Sequence, residues 1–160
     1  MIKNKPFNLA YLLLFVTLFF VTACDELPCP NESGIQVNMG FYLIENNIIS
    51  DLFIDSLTIE YLNPNNENVS EFLGRQRQFI EIPLSITSDT STFVLKFKDD
   101  IADTILIKSD RTVKLISHQC GFDTFFDINE IQTSSNKLDS VWLRRDVVDY
   151  ADFENIKIYF

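Results

Sequence analysis

The chain has 160 residues, enough for one domain of ordinary size with a core of its own. Hydrophobic residues make up 46% of it, and 23 acidic side chains against 13 basic ones leave a net charge of −10. That balance excludes nucleic acid as a partner, because such binding rests on neutralising phosphates with Lys and Arg; it also disfavours adhesion of the protein surface to anionic lipid.

The first element is a leader. Lys3 and Lys5 precede an almost wholly apolar run from Phe7 to Phe20, interrupted at Asn8. A membrane-spanning helix needs about 20 apolar residues, and this run is shorter, as expected of a secretory signal. It ends in Val21-Thr22-Ala23-Cys24. That string resembles the lipobox of bacterial lipoproteins, in which an aliphatic and a small residue precede the cut and the following cysteine is acylated. The resemblance implies removal of residues 1–23 and a lipid-bearing Cys24. Two or three acyl chains give stable anchoring where a single one does not. Loss of Lys3 and Lys5 takes the net charge from −10 to −12. Membrane contact is then expected through the lipid anchor alone. Asp25-Glu26, next to the anchor, resembles the short acidic surface-export signal of Bacteroidota lipoproteins. The expected location is the outer membrane, with the periplasmic or surface face left open.

Three cysteines are an odd number until Cys24 is assigned to lipid. Cys29 and Cys120 then remain in an exported, oxidising setting, where a disulfide is the natural reading and two free buried thiols the alternative. Cys29 lies five residues past Cys24, so the tether spans at most about 17 Å. The expected layout is a leader at 1–23, a lipidated N-terminus and short tether at 24–34, and one β domain at 35–160.

Alternation with period two dominates the domain and argues half-buried strands. Ile35, Val37, Met39, Phe41 and Leu43 share one face; Leu57, Ile59 and Tyr61 share another. The loop Asn63 to Asn68 breaks the chain. Pro83 ends Phe79-Ile80-Glu81-Ile82 or puts it on an edge. Phe93, Leu95 and Phe97 oppose Lys96 and Lys98, and Asp99-Asp100 marks a turn. Ser109-Asp110-Arg111 reads as a tight hairpin between Thr104–Lys108 and Thr112–His118. Phe122, Thr124, Phe126 and Ile128 form the next stripe, followed by Val141 and Leu143 and by Ile156, Ile158 and Phe160. One helical turn is expected within Asp146 to Glu154. Eight or nine short strands suggest an all-β antiparallel β-sandwich, with an immunoglobulin-like arrangement as one candidate. Val113 and Leu115 have opposite parity to Cys120. That strand either carries a bulge or holds Cys120 at its end, outside the core.

Chemistry is sparse. The single histidine, His118, lies two residues before Cys120, and a Cys-His dyad would need a free thiol and an orienting group. One His and two pairable cysteines do not make a zinc site. The acidic clusters Asp99, Asp100, Asp103 and Asp146, Asp149, Asp152, Glu154 have oxygen ligands of the kind calcium takes, but no EF-hand spacing; solvated turns are the plainer reading. No phosphate-binding glycine loop and no GxSxG occur. No catalytic residue, metal ligand or cofactor is assigned, and an enzyme is not expected. Core packing is the plainer reading of the aromatics, but Trp142 has opposite parity to Val141 and Leu143 and is expected at the surface, which makes it the one aromatic to test for stacking on a glycan. Asp55-Ser56-Leu57, Asp103-Thr104-Ile105 and Asp139-Ser140-Val141 resemble the O-glycosylation sequon of Bacteroidota, which makes Ser56, Thr104 and Ser140 candidate acceptors; strand-opening Asp-Ser and Asp-Thr pairs are the alternative.

Taken in order, the lipobox-like string, the nearby Cys29, Ile82-Pro83-Leu84, Asp103-Thr104-Ile105-Leu106, Ser117-His118-Gln119-Cys120-Gly121-Phe122 and the ending Ile156-Lys157-Ile158-Tyr159-Phe160 resemble a group of small Bacteroidota lipoproteins of unknown function. Its most specific element is Ser-x-x-Cys-Gly-Phe. The resemblance implies an envelope location and a β-sandwich, and it brings no activity. Members of that group often carry His just before the last strand, where this chain has Asn155. The expected role is a non-enzymatic envelope module that binds a partner protein or supports an assembly; the alternative is a glycan- or calcium-binding accessory lipoprotein.

Overall fold

The computed structural model describes residues 29–30, 34–62 and 69–160. The leader 1–23, Cys24, Asp25-Glu26 and the loop 63–68 lie outside the described residues. Among the described residues every regular element is a strand: β1 (Gln36–Glu45), β2 (Ile48–Asp51), β3 (Leu57–Leu62), β4 (Val69–Leu73), β5 (Phe79–Pro83), β6 (Thr90–Lys96), β7 (Ala102–Ser117), β8 (Gly121–Thr133), β9 (Ser140–Leu143), β10 (Val147–Val148) and β11 (Ile156–Tyr159).

They form two sheets. One runs β2-β1-β11-β9, with β5 also paired to β1; the other runs β10-β8-β7-β6-β3-β4. The pairs are antiparallel except β1 with β11, which run parallel with Phe41 beside Ile158. The all-β sandwich expected from period-two alternation is therefore present, with eleven strands instead of eight or nine. Three short strands, β2, β4 and β10, had too little apolar alternation to be recognised. Two expected strands fuse into one.

That fusion corrects the expected hairpin at Ser109-Asp110-Arg111. β7 runs through these residues for 16 positions and absorbs the irregularity as a register shift between Lys108 and Ser109. The segment contains neither Gly nor Asn to take the positive φ angles of a tight turn. Ser109 is buried, and its N–H donates to Asp89 O at 2.9 Å. The real hairpin lies at His118-Gln119-Cys120, and it closes on Gly121 at φ 73°. Cys120 thus sits at a strand end, and β7 also carries a bulge. The helical turn expected within 146–154 is absent too. There β10 pairs with β8, and Asp149 turns the chain by accepting the Ala151 N–H at 2.9 Å. Such local acceptors compete with helix formation.

The core lies between the sheets. Val37, Met39 and Phe41 from β1 meet Leu57 and Ile59 from β3, Leu95 from β6, Ile105 and Ile107 from β7, and Phe126 from β8. Each large apolar side chain fully removed from water contributes about 1.5–3 kcal/mol. The parallel pairing of β1 and β11 brings Phe160 edge-on to Phe41 and Phe97, with centroids 6.0 and 5.7 Å apart. Phe97 follows β6, and β7 then runs away from it to the 118–120 turn. The molecule therefore has two ends: one holds Cys29 and the β7–β8 turn, the other holds Phe160, Phe97 and the β1–β2 hairpin. That second hairpin turns on Asn46 and Asn47, both at positive φ.

Asp103 is the main polar pin of the core. It is 0% exposed. Its carboxylate accepts the Ser134 hydroxyl at 2.7 Å and the backbone N–H groups of Asn136, Lys137 and Leu138 at 2.7, 2.8 and 3.0 Å. Burial pushes its pKa up, but the hydrogen bonds from Asn136, Ser134, Lys137 and Leu138 outweigh burial and hold it below the usual carboxylate range. With a folded pKa below the unfolded value of about 3.9, the stabilisation is present above that pH and is lost as pH falls through the folded pKa. Asp103→Asn should cost about 2–3 kcal/mol in urea unfolding at pH 7, because an amide presents its N–H groups to backbone donors. The gap from the parent chain should narrow as pH falls below about 4; a gap independent of pH would show that the charge of Asp103 does not matter.

Candidate functional site

The disulfide expected from cysteine arithmetic is formed. Cys29 and Cys120 are bonded, with Cα atoms 5.5 Å apart, across a separation of 91 residues. Cys120 stands at the tip of the β7–β8 hairpin, where the Ser117 hydroxyl accepts its N–H at 2.9 Å. The sequence Ser117-x-x-Cys120-Gly121-Phe122 therefore encodes a turn: a hydroxyl to cap it, a cysteine to tie it and a glycine to leave it. His118 is exposed within the same turn. Its neighbouring cysteine is in a disulfide, so no thiol is present for a dyad.

The acidic clusters do not converge. Asp103 leaves its expected turn entirely, since it points into the core. Asp99 pairs with Lys137 at 2.5 Å, and this hydrogen bond holds its carboxyl below the usual range. Arg145 grips Asp149 with two hydrogen bonds of 2.9 and 2.7 Å. Asp152 accepts from Asn38 Nδ2 at 2.7 Å, and Asp146 accepts the Val147 N–H at 3.0 Å. The Glu154 side chain is 6% exposed and takes Arg144 at 2.7 Å and the Tyr42 hydroxyl at 2.5 Å. Burial first, then Glu154, drives the Tyr42 pKa upward. Gly40 makes this possible, because a Cβ there would collide with Glu154 Oε1. Among the described residues no group of three or more His, Cys, Asp or Glu side chains is arranged to hold a metal ion. Asn155, just before the last strand, is 2% exposed. It donates to Arg145 O and Val147 O and receives the Asn38 N–H, so it fastens the β9–β11 connection to β1.

The three candidate glycosylation residues lie on separate elements. Ser140 is exposed at the start of β9; Ser56 is half-buried at φ 59° before β3. Thr104 is half-buried in mid-strand on β7, opposite Val94, beside the buried Asp103. Trp142 is 56% exposed on β9, an edge strand, as its parity predicted.

Two surfaces escaped the sequence reading. At the end holding Phe160, Ile44 and Ile49 face each other across the β1–β2 hairpin, with Ile48 one residue before. Ile48, Ile49 and Phe53 are 68%, 56% and 56% exposed. Phe53 borders an apolar basin of about 580 Å³ shared with Leu52, Phe97 and Phe160. The signal was Asn46-Asn47, a dipeptide suited to positive φ between apolar residues. The second surface is a cleft of about 650 Å³ at the open side of the sandwich, lined by Tyr61, Glu71, Leu73, Arg77, Ile80 and Glu81 among others. Burial, reinforced by the Glu71 carboxylate, pushes the Tyr61 hydroxyl up to about 12. At neutral pH it is a hydrogen-bond donor. Among the described residues its polar lining includes the carboxylates Glu71 and Glu81, the Arg77 guanidinium and the Tyr61 hydroxyl.

The chain belongs to a family of unknown function, DUF6452, whose model matches residues 72–160. The matched span runs from within β4 to the end of β11 and includes the disulfide-tied hairpin tip. It leaves out β1, the strand that pairs with β2, β5 and β11, so the span is not a complete sandwich. No curated protein and no solved structure matches the chain.

Replacing Cys29 and Cys120 together by Ser should lower unfolding stability by about 2–4 kcal/mol. Thermal unfolding with and without reductant should give the parent chain the same loss and leave the double variant unaffected.

Proposed function

We propose that this protein is a lipid-anchored envelope protein of the Bacteroidota type, held at the outer membrane by Cys24, and that it acts as a non-enzymatic docking module. The supporting observation is the division of the cysteines. Cys29 and Cys120 are bonded to each other, which leaves Cys24, at the acylated position of a lipobox-like string, as the one cysteine outside the bridge.

The docking surface in this reading is the end that carries Ile48, Ile49 and Phe53. It lies at the opposite end of the sheets from Cys29 and so faces away from the anchor. Isolated exposed apolar side chains are ordinary, but here three cluster at one end: Ile49 beside Ile44 on one face of the hairpin, Ile48 on the other face, and Phe53 at the rim of the basin. β2 pairs only with β1 among the described strands, so its outer edge can also accept a partner's strand. Trp142 favours a second reading, a glycan stacked on the exposed indole of β9.

Cys24→Ala should move the protein from the membrane fraction to the soluble fraction of the envelope. In the lipidated parent, crosslinking of intact envelopes should recover a reproducible partner protein. Ile48→Ser with Ile49→Ser should abolish that crosslink without loss of folding. A Cys24→Ala chain that stays with the membrane would contradict the anchor, and a crosslink indifferent to the β2 pair would contradict the docking surface.

A further inference from the structure

The β7–β8 hairpin continues past the core. On its core-facing side Ser109 and, across the strands, Phe126 and Ile128 are buried. Further along the same side stand Val113, Leu115 and Phe122, which are 65%, 53% and 72% exposed. Leu115 sits directly opposite Phe122, and Val113 sits opposite Thr124. The hairpin therefore lifts an apolar face out of the sandwich, and no described residue buries it.

Charge sets this tip apart. In a chain with 23 acidic residues, residues 112–122 contain none; their ionisable side chains are Lys114 and His118, besides the bonded Cys120. Lys114 lies on the opposite side of the hairpin, 4.4 Å from the centre of the Phe125 ring. The tip is also covalently tied to Cys29, five residues from Cys24. A five-residue tether reaches at most about 17 Å. Acyl chains on Cys24 would thus hold this apolar, acid-free tip within reach of the bilayer surface.

We propose that the β7–β8 tip is a second membrane contact: Val113, Leu115 and Phe122 enter the interfacial layer of the bilayer that holds the lipid on Cys24. This rests on the anchoring reading above. The surface it fits is zwitterionic, because Asp25 and Glu26 in the tether and the net charge of the chain oppose an anionic one. The contact would give the domain a fixed posture on the bilayer, with the β1–β2 hairpin pointing outward.

The test uses the lipidated protein in phosphatidylcholine vesicles whose acyl chains are brominated near the headgroup. Phe122→Trp in a Trp142→Phe background supplies the only indole; Leu115→Trp is a second probe, and Ile48→Trp reports on the far end. Insertion about 5–10 Å below the headgroup level should quench the indole at 122 or 115 by about half and shift its emission to the blue, while the indole at 48 keeps its intensity. Raising the salt concentration should not reverse this. If the protein floats with the vesicles and neither tip indole is quenched, the tip contact is wrong and the anchor stands. If the protein does not float at all, the anchor fails and the tip contact fails with it.

Discussion

The bond between Cys29 and Cys120 is the constraint on which the arrangement of this molecule depends. It joins the start of the domain to the tip of its longest hairpin across 91 residues, where the hairpin's own apolar side chains Val113, Leu115 and Phe122 are exposed. The tip carries its apolar side chains away from the core and its turn residues are polar. Without the bond, β7 and β8 beyond Phe126 would be a two-stranded arm, and an isolated hairpin is only marginally stable in water. With it, the arm and Cys29 share one position, and any membrane attachment near Cys29 also fixes where the arm lies.

The rest of the sandwich is held by apolar packing and by a small number of buried polar pins. Asp103 fastens the β8–β9 connection to the start of β7. Asn155 and Glu154 fasten the β9–β11 connection to β1 and Tyr42. Each pin satisfies several donors at once, and this is what makes burial of a carboxylate tolerable. Asp103 and Glu154, one from each acidic cluster, are thereby engaged in joining loops to sheets. Acidity in this chain is partly architectural and partly a solvated surface, and the hairpin tip, residues 112–122, is a stretch that avoids it.

Much of this was legible in the sequence for simple reasons. A strict period of two made β1, β3 and β6 readable, because one face of each meets the core and the other meets water. The cysteine pairing was legible because assigning Cys24 to a lipobox-like string leaves two cysteines to pair. Trp142 was legible from parity alone. What escaped had physical causes. Ser109-Asp110-Arg111 looks like a turn in composition, yet β7 passes through it, because a bulge restores the alternation that a turn would have ended. β2 and β10 are too short to show a period, and their pairing is set by neighbours distant in sequence. The apolar stripe from Phe122 to Ile128 is continuous in sequence, but only Phe126 and Ile128 have a second sheet to face. Parity identifies the side of a strand and leaves open where the opposing layer stops.

The central claim is the division of the cysteines, one for lipid and two for the staple. Peptide mass mapping of the protein extracted from membranes in detergent, digested without reduction, tests it most directly. The account predicts a chain that begins at Cys24 with diacylglycerol on its sulfur, and Cys29 joined to Cys120. An unacylated Cys24, or Cys24 found in a disulfide with either of the other two, would contradict it.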